Sequence, residues 1–151
     1  MLATGFLIVA GNRAGAQEAA TNMADVEAAN QAFYEAASAR DFARMDAIWA
    51  HKPYVTAIHP TNQNVDAGWD AVRAGWEKLF GNFTEISVAM PDPHIRVGGE
   101  VAWVTGQEQF RGRPSAGEEV SVTLLGTSVF EKSGNQWLMV HHHVSAPPPP
   151  Q

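Results

Sequence analysis

The hydrophobic pattern of the first half of the chain is mostly helical. Apolar side chains recur at helical spacing over residues 24–40, with charged and amide side chains between them, which predicts an amphipathic helix. A second, shorter helix is predicted over 41–50, directly after the first, so the two should form a tight corner. The β-branched run 53–58 predicts a strand, and residues 67–80 predict a third helix.

After Asn82 the pattern changes to an alternation of period two. Runs rich in Val, Ile, Thr and aromatic residues are separated by turn-forming segments, as in antiparallel strands. These runs are 84–90, 95–97, 101–110, 120–131 and 137–144. Helices followed by strands predict an α+β fold, in which three helices close the concave side of a long, curled antiparallel sheet. Helices cannot fill the whole interior of a strongly bent sheet, so we expect a pocket between the two layers.

The composition is that of one globular domain. The chain has 151 residues, of which 45% are hydrophobic, and its sixteen acidic and ten basic residues give a net charge of −6. The basic residues are scattered and form no stripe, so we expect no nucleic-acid partner. The absence of cysteine excludes disulfides and thiolate chemistry. The predicted organisation is an N-terminal segment 1–23, a domain 24–146 and a proline-rich tail 147–151.

The N-terminal segment 1–23 has two interpretations. Its apolar run, residues 2–10, is shorter than the roughly 20 residues that a membrane-spanning helix needs, so no membrane span is expected. Ala14-Gly15-Ala16 before Gln17 resembles the small-residue cleavage site of an export signal, but no basic residue precedes the apolar run. The segment is either a truncated signal peptide, which implies a periplasmic or secreted protein, or an N-terminal arm of a cytoplasmic one.

Three consecutive histidines lie in the last predicted strand. Because side chains alternate along a strand, one set should face the interior: Leu138, Val140, His142 and Val144. The other set should face outward: Trp137, Met139, His141 and His143. An inward His142 is either a hydrogen-bonded core residue or a pocket group able to act as a general base. His141 and His143 have a spacing that suits one metal ion, but no paired motif supplies a third ligand, so no metal site is predicted.

Several segments resemble a known superfamily. QWLMVHHHVSAP is similar to the final strand of the SnoaL-like group of the NTF2-like superfamily, and of the calcium/calmodulin-dependent kinase II association domain. PDPHIRVGGEVAWVTG resembles a mid-sheet segment, FYEAASARDFARM the corner between the first two helices, and GWDAVRAGWEKLF the third helix. The resemblance covers about Asp25 to Pro147. It implies a conical α+β fold with a deep pocket, usually dimeric through the outer sheet face.

The resemblance leaves the function open, because members include polyketide cyclases, ketosteroid isomerases, dehydratases and non-catalytic binding modules. The kinase association domain places two arginines in its pocket, and the matching positions here are Ser128 and Val144. Ketosteroid isomerases combine an aspartate base with a tyrosine and a second acid; Tyr34 is present, but spacing pairs no acid with it. Cyclases use a carboxylate or a histidine, which Glu108 or His142 could supply, although the strand phase of Glu108 stays open.

The candidate site therefore combines histidines with aromatic and polar groups. We predict His142 as a catalytic group, together with His59, which begins a polar loop after the first strand. Trp69 and Trp76 share one face of the third helix and are either core or pocket walls. The predicted ligand-binding residues are Tyr34, Trp49, Trp69, Trp76, Glu108 and Ser128, the last on the strand paired with the final one.

Two functions follow from these observations. The first is a small-molecule-binding protein of the SnoaL-like type, with an apolar, aromatic pocket for a small apolar or aromatic ligand. If it catalyses, the resemblance and the histidines favour a cofactor-free isomerase, cyclase or dehydratase that uses histidine as acid and base. The alternative is a non-catalytic, dimeric interaction module. In both cases we expect a homodimer through the outer sheet face.

Overall fold

The computed structural model describes residues 7–148, so residues 1–6 of the predicted N-terminal segment and 149–151 of the predicted tail lie outside the described part. The described part contains three helices: α1 (Leu7–Ala39), α2 (Phe42–Ile48) and α3 (Trp69–Asn82). It contains seven strands: β1 (Thr56–Ile58), β2 (Asp66–Ala67), β3 (Phe83–Ala89), β4 (His94–Gly98), β5 (Val101–Pro114), β6 (Val120–Ser133) and β7 (Gln136–Ser145). Within residues 7–148, no helix combines the length and the apolar character needed to cross a membrane.

The first helix is longer than its hydrophobic pattern predicts. We expected it to begin at Ala24, but α1 begins at Leu7. Its buried stripe starts only at Val26, and most side chains over 15–25 are exposed. Alanine has the highest helix propensity, so this alanine-rich stretch continues the helix without an apolar face to bury. Lys132 Nζ donates to Asn22 Oδ1 across 2.7 Å and connects the exposed turns of α1 to β6.

The corner between α1 and α2 forms as predicted. Arg40 has a positive φ of 51° and ends α1, and the backbone N–H of Asp41 donates to Ala36 O across 2.9 Å. Asp41 then caps α2, because its Oδ1 accepts from the backbone N–H of Arg44 across 3.1 Å. Arg40 Nη1 donates to Phe83 O across 2.7 Å. This hydrogen bond fixes the corner against the first residue of β3.

The strands form one curved sheet that does not close into a barrel, and the three helices pack on it. The strand order is β2-β1-β7-β6-β5-β3, and β4 also pairs with β5, at the end that β3 leaves free. All of these pairs are antiparallel except β1 with β7. The α+β prediction is confirmed, and the five predicted runs correspond to β3–β7 with shifted ends. The short strand β2 was not predicted: Ala67 was assigned to the third helix, and Asp66 was assigned to no element.

A register shift in β7 changes which side chains face inward. Val129 pairs with His141 and Phe130 pairs with Met139, so Val140 has no partner on β6. Met139 and Val140 are consecutive and both buried, which strict alternation does not allow. The predicted phase is right for Val140 and the residues after it, since His142 and Val144 are buried. It is wrong before the bulge: Trp137 and Met139 are buried and not on the outer face.

The packed core lies where α1, α2 and the first half of β7 meet. Its largest fully buried members include Phe33, Met45, Trp49, Phe130 and Met139. The side chains at this end pack densely. The space between α1, α3 and the strands β3, β5, β6 and β7 is not filled by side chains. The cavity described next occupies that space.

Candidate functional site

An apolar cavity of about 530 Å³ lies between the helices and the concave face of the sheet. Aromatic side chains make up much of its lining: Phe33, Tyr34, Trp76, Phe80, Phe83 and Phe110. Valine, leucine and isoleucine from α3, β3 and β6 complete the apolar part. The volume is within the range of small-molecule pockets, and such pockets typically place a few polar groups in an apolar lining.

A buried tyrosine–glutamate pair forms the centre of the polar lining. Tyr34 OH on α1 donates to Glu108 Oε2 on β5 across 3.0 Å, and both residues are buried. Burial raises the pKa of Glu108 to about 7, although the hydrogen bond from Tyr34 lowers it in part. Burial, together with the charge of Glu108, raises the pKa of Tyr34. Tyr34 therefore stays a neutral hydrogen-bond donor, whereas Glu108 changes its charge near neutral pH.

His142 continues this polar chain on the other side of Glu108. His142 Nε2 lies 3.7 Å from Glu108 Oε2, and His142 Nδ1 forms a hydrogen bond of 3.1 Å with Ser128 Oγ. The ring is 1% exposed and packs 4.7 Å from the ring of Phe33, between ring centroids. Burial, and then the neighbouring histidines, holds the pKa of His142 well below its usual value. The imidazole is therefore neutral at pH 7, and its tautomer depends on whether Ser128 donates or accepts.

His59 lines the same cavity from the loop after β1. Its ring lies edge-on to Trp76, with centroids 4.8 Å apart. His59 Nε2 is buried and has no hydrogen-bond partner among the described residues. Burial lowers the pKa of His59, and the charge of Asp66 opposes this change. Asp66 itself accepts a hydrogen bond of 2.8 Å from Asn62 Nδ2, so its carboxylate is already engaged beside His59.

The structure brings most of the predicted site residues together. Five of them line the cavity: Tyr34, His59, Trp76, Glu108 and His142. Ser128 is not in the lining, but it forms a hydrogen bond with His142, which is. Trp49 and Trp69, which we predicted as ligand-binding residues, do not belong to the described cavity lining. Trp49 is core, and Trp69 stacks on His51 with ring centroids 4.5 Å apart.

The sequence patterns did not identify the contact between Tyr34 and Glu108, which lie 74 positions apart. The signal for Glu108 was present in the alternation along β5, because Ala102 and Val104 are buried and Glu108 has the same phase. Gln107 and Gln109, which have the opposite phase, are exposed. Extending the alternation through Gly106 would have placed Glu108 inward.

The outer histidines have contacts of their own on the surface of the sheet. His141 Nδ1 forms a hydrogen bond of 2.7 Å with Thr56 Oγ1, and the rings of His141 and His143 are 6.4 Å apart between centroids. Within the part of the chain that the structure describes, no group of three or more His, Asp or Glu side chains could hold a metal ion. His141 and His143 are therefore half-buried side chains of the sheet surface.

A curved sheet with three N-terminal helices and an internal cavity defines an α+β cone of the NTF2-like type. Residues 26–149 match the model of the SnoaL-like domain. The chain belongs to the SnoaL-like domain family.

Solved structures of the NTF2-like superfamily are similar to this one. A candidate dehydratase from Streptomyces avermitilis is 27% identical, with a TM-score of 0.77 over 85% of this chain and 98% of that chain. A candidate calcium/calmodulin-dependent protein kinase type II association domain from Thiobacillus denitrificans is 30% identical, with a TM-score of 0.70 over 81% of this chain and 94% of that chain. An NTF2-like protein from Salmonella enterica, at 19% identity and a TM-score of 0.79 over 87% of this chain and 95% of that chain, supports the fold alone.

One curated relative is an F-box protein, SKIP8, from Arabidopsis thaliana. It is 27% identical over 118 residues, which cover 77% of this chain and 47% of that protein. The chain thus spans about half the length of this curated relative.

Proposed function

We propose that this chain binds a small, mainly apolar molecule in its cavity and transfers a proton on it without a cofactor. The observation that carries this proposal is the buried polar chain from Tyr34 through Glu108 and His142 to Ser128, at an apolar cavity. Burying an ionisable group costs free energy unless hydrogen bonds or a paired charge compensate for the lost hydration. Ionisable groups whose pKa values are shifted by burial in a cleft are therefore enriched at functional sites.

Glu108 is the group best suited to act as general base and acid. A pKa of about 7 leaves both its carboxylate and its protonated form populated near neutral pH. The carboxylate would take a proton from a carbon next to a carbonyl group of the ligand. The protonated acid would then return that proton to another position, which is an isomerisation, or to a departing hydroxyl group, which releases water.

The neighbouring groups would support this proton transfer. Tyr34 donates to the carboxylate and fixes its orientation. The neutral ring of His142, near Glu108, supplies a second acceptor or donor, and His59 supplies a third group of this kind in the same lining. Similarity to a candidate dehydratase of the NTF2-like family supports the class of reaction.

Proton exchange with solvent tests this function without knowledge of the product. We would incubate a panel of aromatic and polycyclic ketones with the protein in D₂O and follow the loss of the protons next to the carbonyl by ¹H NMR. The expected result is catalysed exchange that Glu108→Gln abolishes and Glu100→Gln, at an exposed turn, retains. Exchange at an unchanged rate in Glu108→Gln would contradict the role of Glu108. The melting temperature of the protein with each ketone serves as a second measurement of binding. If no ketone of the panel exchanges its protons and none raises the melting temperature, the proposal is contradicted.

A second candidate function is that of a dimeric interaction module. The outer sheet face exposes apolar side chains of β5 and β6, with Trp103 46% and Leu125 49% exposed. Exposed apolar surface on a sheet favours pairing with another protein surface. Similarity to a candidate kinase association domain agrees with this alternative. Trp103 and Leu125 replace the buried Trp137 and Met139 as the side chains expected to make the contact.

Light scattering tests the homodimer. We expect a dimer that Trp103→Lys converts to monomer while ligand binding in the cavity persists. Val65 provides a matched control, because it is also an exposed apolar residue but lies in the loop before β2. A monomeric unmodified protein, or a dimer that Val65→Lys disrupts as strongly as Trp103→Lys, would contradict a dimer through the outer face.

A further inference from the structure

At neutral pH, the side chains in the described cavity lining supply negative charge and no positive charge. The ionisable groups in its described lining are Glu108, His59, His142 and Tyr34, and these lining residues include no Lys or Arg. Burial lowers the pKa of both histidines, so both are neutral near pH 7. Tyr34 is neutral as well, because its pKa is raised. At neutral pH, Glu108 is therefore the source of side-chain charge in the described lining, and that charge is negative.

The aromatic part of the lining can also interact with a positive charge. Six aromatic rings line the cavity, among them Phe33, Trp76 and Phe110. The face of an aromatic ring attracts a cation that lies within about 6 Å of its centroid. An anionic ligand would instead meet the Glu108 carboxylate with no basic side chain to compensate. Because Glu108 can take up a proton and so avoid this repulsion, the affinity for an anion should fall roughly tenfold at pH 8, one unit above a pKa of about 7.

We infer that the ligand of this cavity is an apolar molecule that carries one protonated amine, with the Glu108 carboxylate as its counter-ion. This inference rests on the proposed function and narrows its ligand class. A bound cation keeps Glu108 ionised, so the amine of the ligand would hold the catalytic group in its proton-accepting form. The substrates that combine these features are amino ketones and amino alcohols with an apolar or aromatic body.

A cation held in this way couples binding to the release of a proton. Glu108 has a pKa of about 7, so in the free protein it is mainly protonated at pH 6 and mainly ionised at pH 8. The groups that face it are Tyr34 from α1 and His142 from β7, with His59 in the same lining, and all three are neutral over most of this range. Binding of an ammonium ion should therefore release close to one proton at pH 6 and close to none at pH 8. Its affinity should be roughly tenfold higher at pH 8.

Three probes with one phenyl body and different head groups test the inference: phenethylammonium, 2-phenylethanol and phenylacetate. Titration calorimetry at pH 6 and pH 8, in buffers of different ionisation enthalpy, measures affinity and proton release together. We expect phenethylammonium to bind at least tenfold more tightly than 2-phenylethanol at pH 8, and phenylacetate to bind most weakly. Equal binding of the amine and the alcohol, binding of the amine without proton release at pH 6, or tightest binding of the acid would each overturn the inference.

Two matched variants identify the counter-ion. Glu108→Gln removes the charge and keeps the shape, so it should lose the preference for the amine and the proton release but retain binding of 2-phenylethanol. Glu100→Gln removes one acidic charge from an exposed turn and should retain the preference. A preference for the amine that survives in Glu108→Gln would overturn the inference. Binding of none of the three probes would overturn the proposed function itself, whereas binding of the alcohol alone would leave that function standing.

Discussion

Tyr34 OH on α1 and Glu108 Oε2 on β5 are joined by a buried hydrogen bond of 3.0 Å, although the two residues are 74 positions apart in the chain. This bond links the helical layer to the sheet beside the cavity. It also lowers the pKa of Glu108 in part, against the larger effect of burial, because a donor to the carboxylate stabilises its charged form. Stability and the ionisation of the site therefore depend on the same contact.

Removing the tyrosine hydroxyl should change both properties. Tyr34→Phe should raise the pKa of Glu108, since the hydrogen bond from Tyr34 lowers it. It should also lower the free energy of unfolding by about 1–2 kcal/mol through the lost buried hydrogen bond. NMR titration of ¹³C-labelled glutamate carboxyls and urea unfolding measure the two effects. The control is Tyr54→Phe, because Tyr54 OH donates to Glu131 at an exposed site. An unchanged pKa of Glu108 in Tyr34→Phe would show that the bond does not control ionisation.

The raised pKa of Glu108 predicts lower stability at higher pH. In the folded protein this pKa is about 7, against 4.5 for an ordinary glutamate side chain, so between these values the folded state binds more protons than the unfolded state. The free energy of unfolding should therefore fall as pH rises through this window, by up to about 3 kcal/mol. Urea unfolding between pH 5 and pH 8 should show this loss in the unmodified protein and not in Glu108→Gln. Identical pH dependence in the two proteins would contradict the burial of an ionising Glu108.

His142 should have the opposite effect at lower pH. Because its pKa is well below 6.5 in the folded protein, the unfolded state binds more protons as pH falls below about 6.5. The stability that depends on a neutral, buried imidazole is then lost, by up to about 1.4 kcal/mol per pH unit. His142→Gln removes this contribution, so its difference in stability from the unmodified protein should change between pH 7 and pH 5. A constant difference over this range would mean that His142 takes up its proton equally well in the folded state.

Two glycines should respond in opposite directions to the same substitution. A Cβ at Gly106 on β5 would lie 2.8 Å from Met90 Sδ and 3.3 Å from the backbone oxygen of Asp92, so Gly106→Ala should destabilise by about 1–3 kcal/mol. At Gly81, near the end of α3, a Cβ would meet nothing within 4 Å. Gly81→Ala should therefore stabilise the helix, by up to about 1 kcal/mol. Thermal unfolding of both variants compares them directly, and a stable Gly106→Ala protein would show that the loop carrying Met90 can move away.

The predictions that succeeded depend on local periodicity. Alternation along the chain located β3–β7, and helical spacing located α2 and most of α3. Those that failed depend on contacts between distant segments or on local irregularity. The burial of Trp137 could not be inferred from alternation, because one unpaired residue at Val140 reverses the phase. Over residues 15–25, where most side chains are exposed, the helix α1 follows from alanine-rich helix propensity, which hydrophobic spacing does not detect.

The candidate site was predictable in part for the same reason. His142 and Ser128 were expected to be neighbours because they occupy paired strands, and the register confirms this. Tyr34 and Glu108 were identified separately, but only tertiary packing brings a helix over the strand that carries the acid. Trp69 was expected at the pocket because it shares a helix face with Trp76. In the structure that face meets two different environments along its length: Trp76 lines the cavity, whereas Trp69 stacks on His51.

The unpaired Val140 makes the arrangement of the site depend on the pairing of the last strand as well as on its composition. Because of the bulge, Met139 is buried in the core and His142, three positions later, lines the cavity. In a regular strand, two residues three positions apart would face opposite sides of the sheet. Deleting Val140 would give β7 a regular alternation in which Met139 and His142 are two positions apart, so both would still face inward and the second buried apolar side chain of the bulge would be lost. A regular strand that kept all of these residues would instead turn either Met139 or His142 outward, so the unpaired residue is what allows both to be buried.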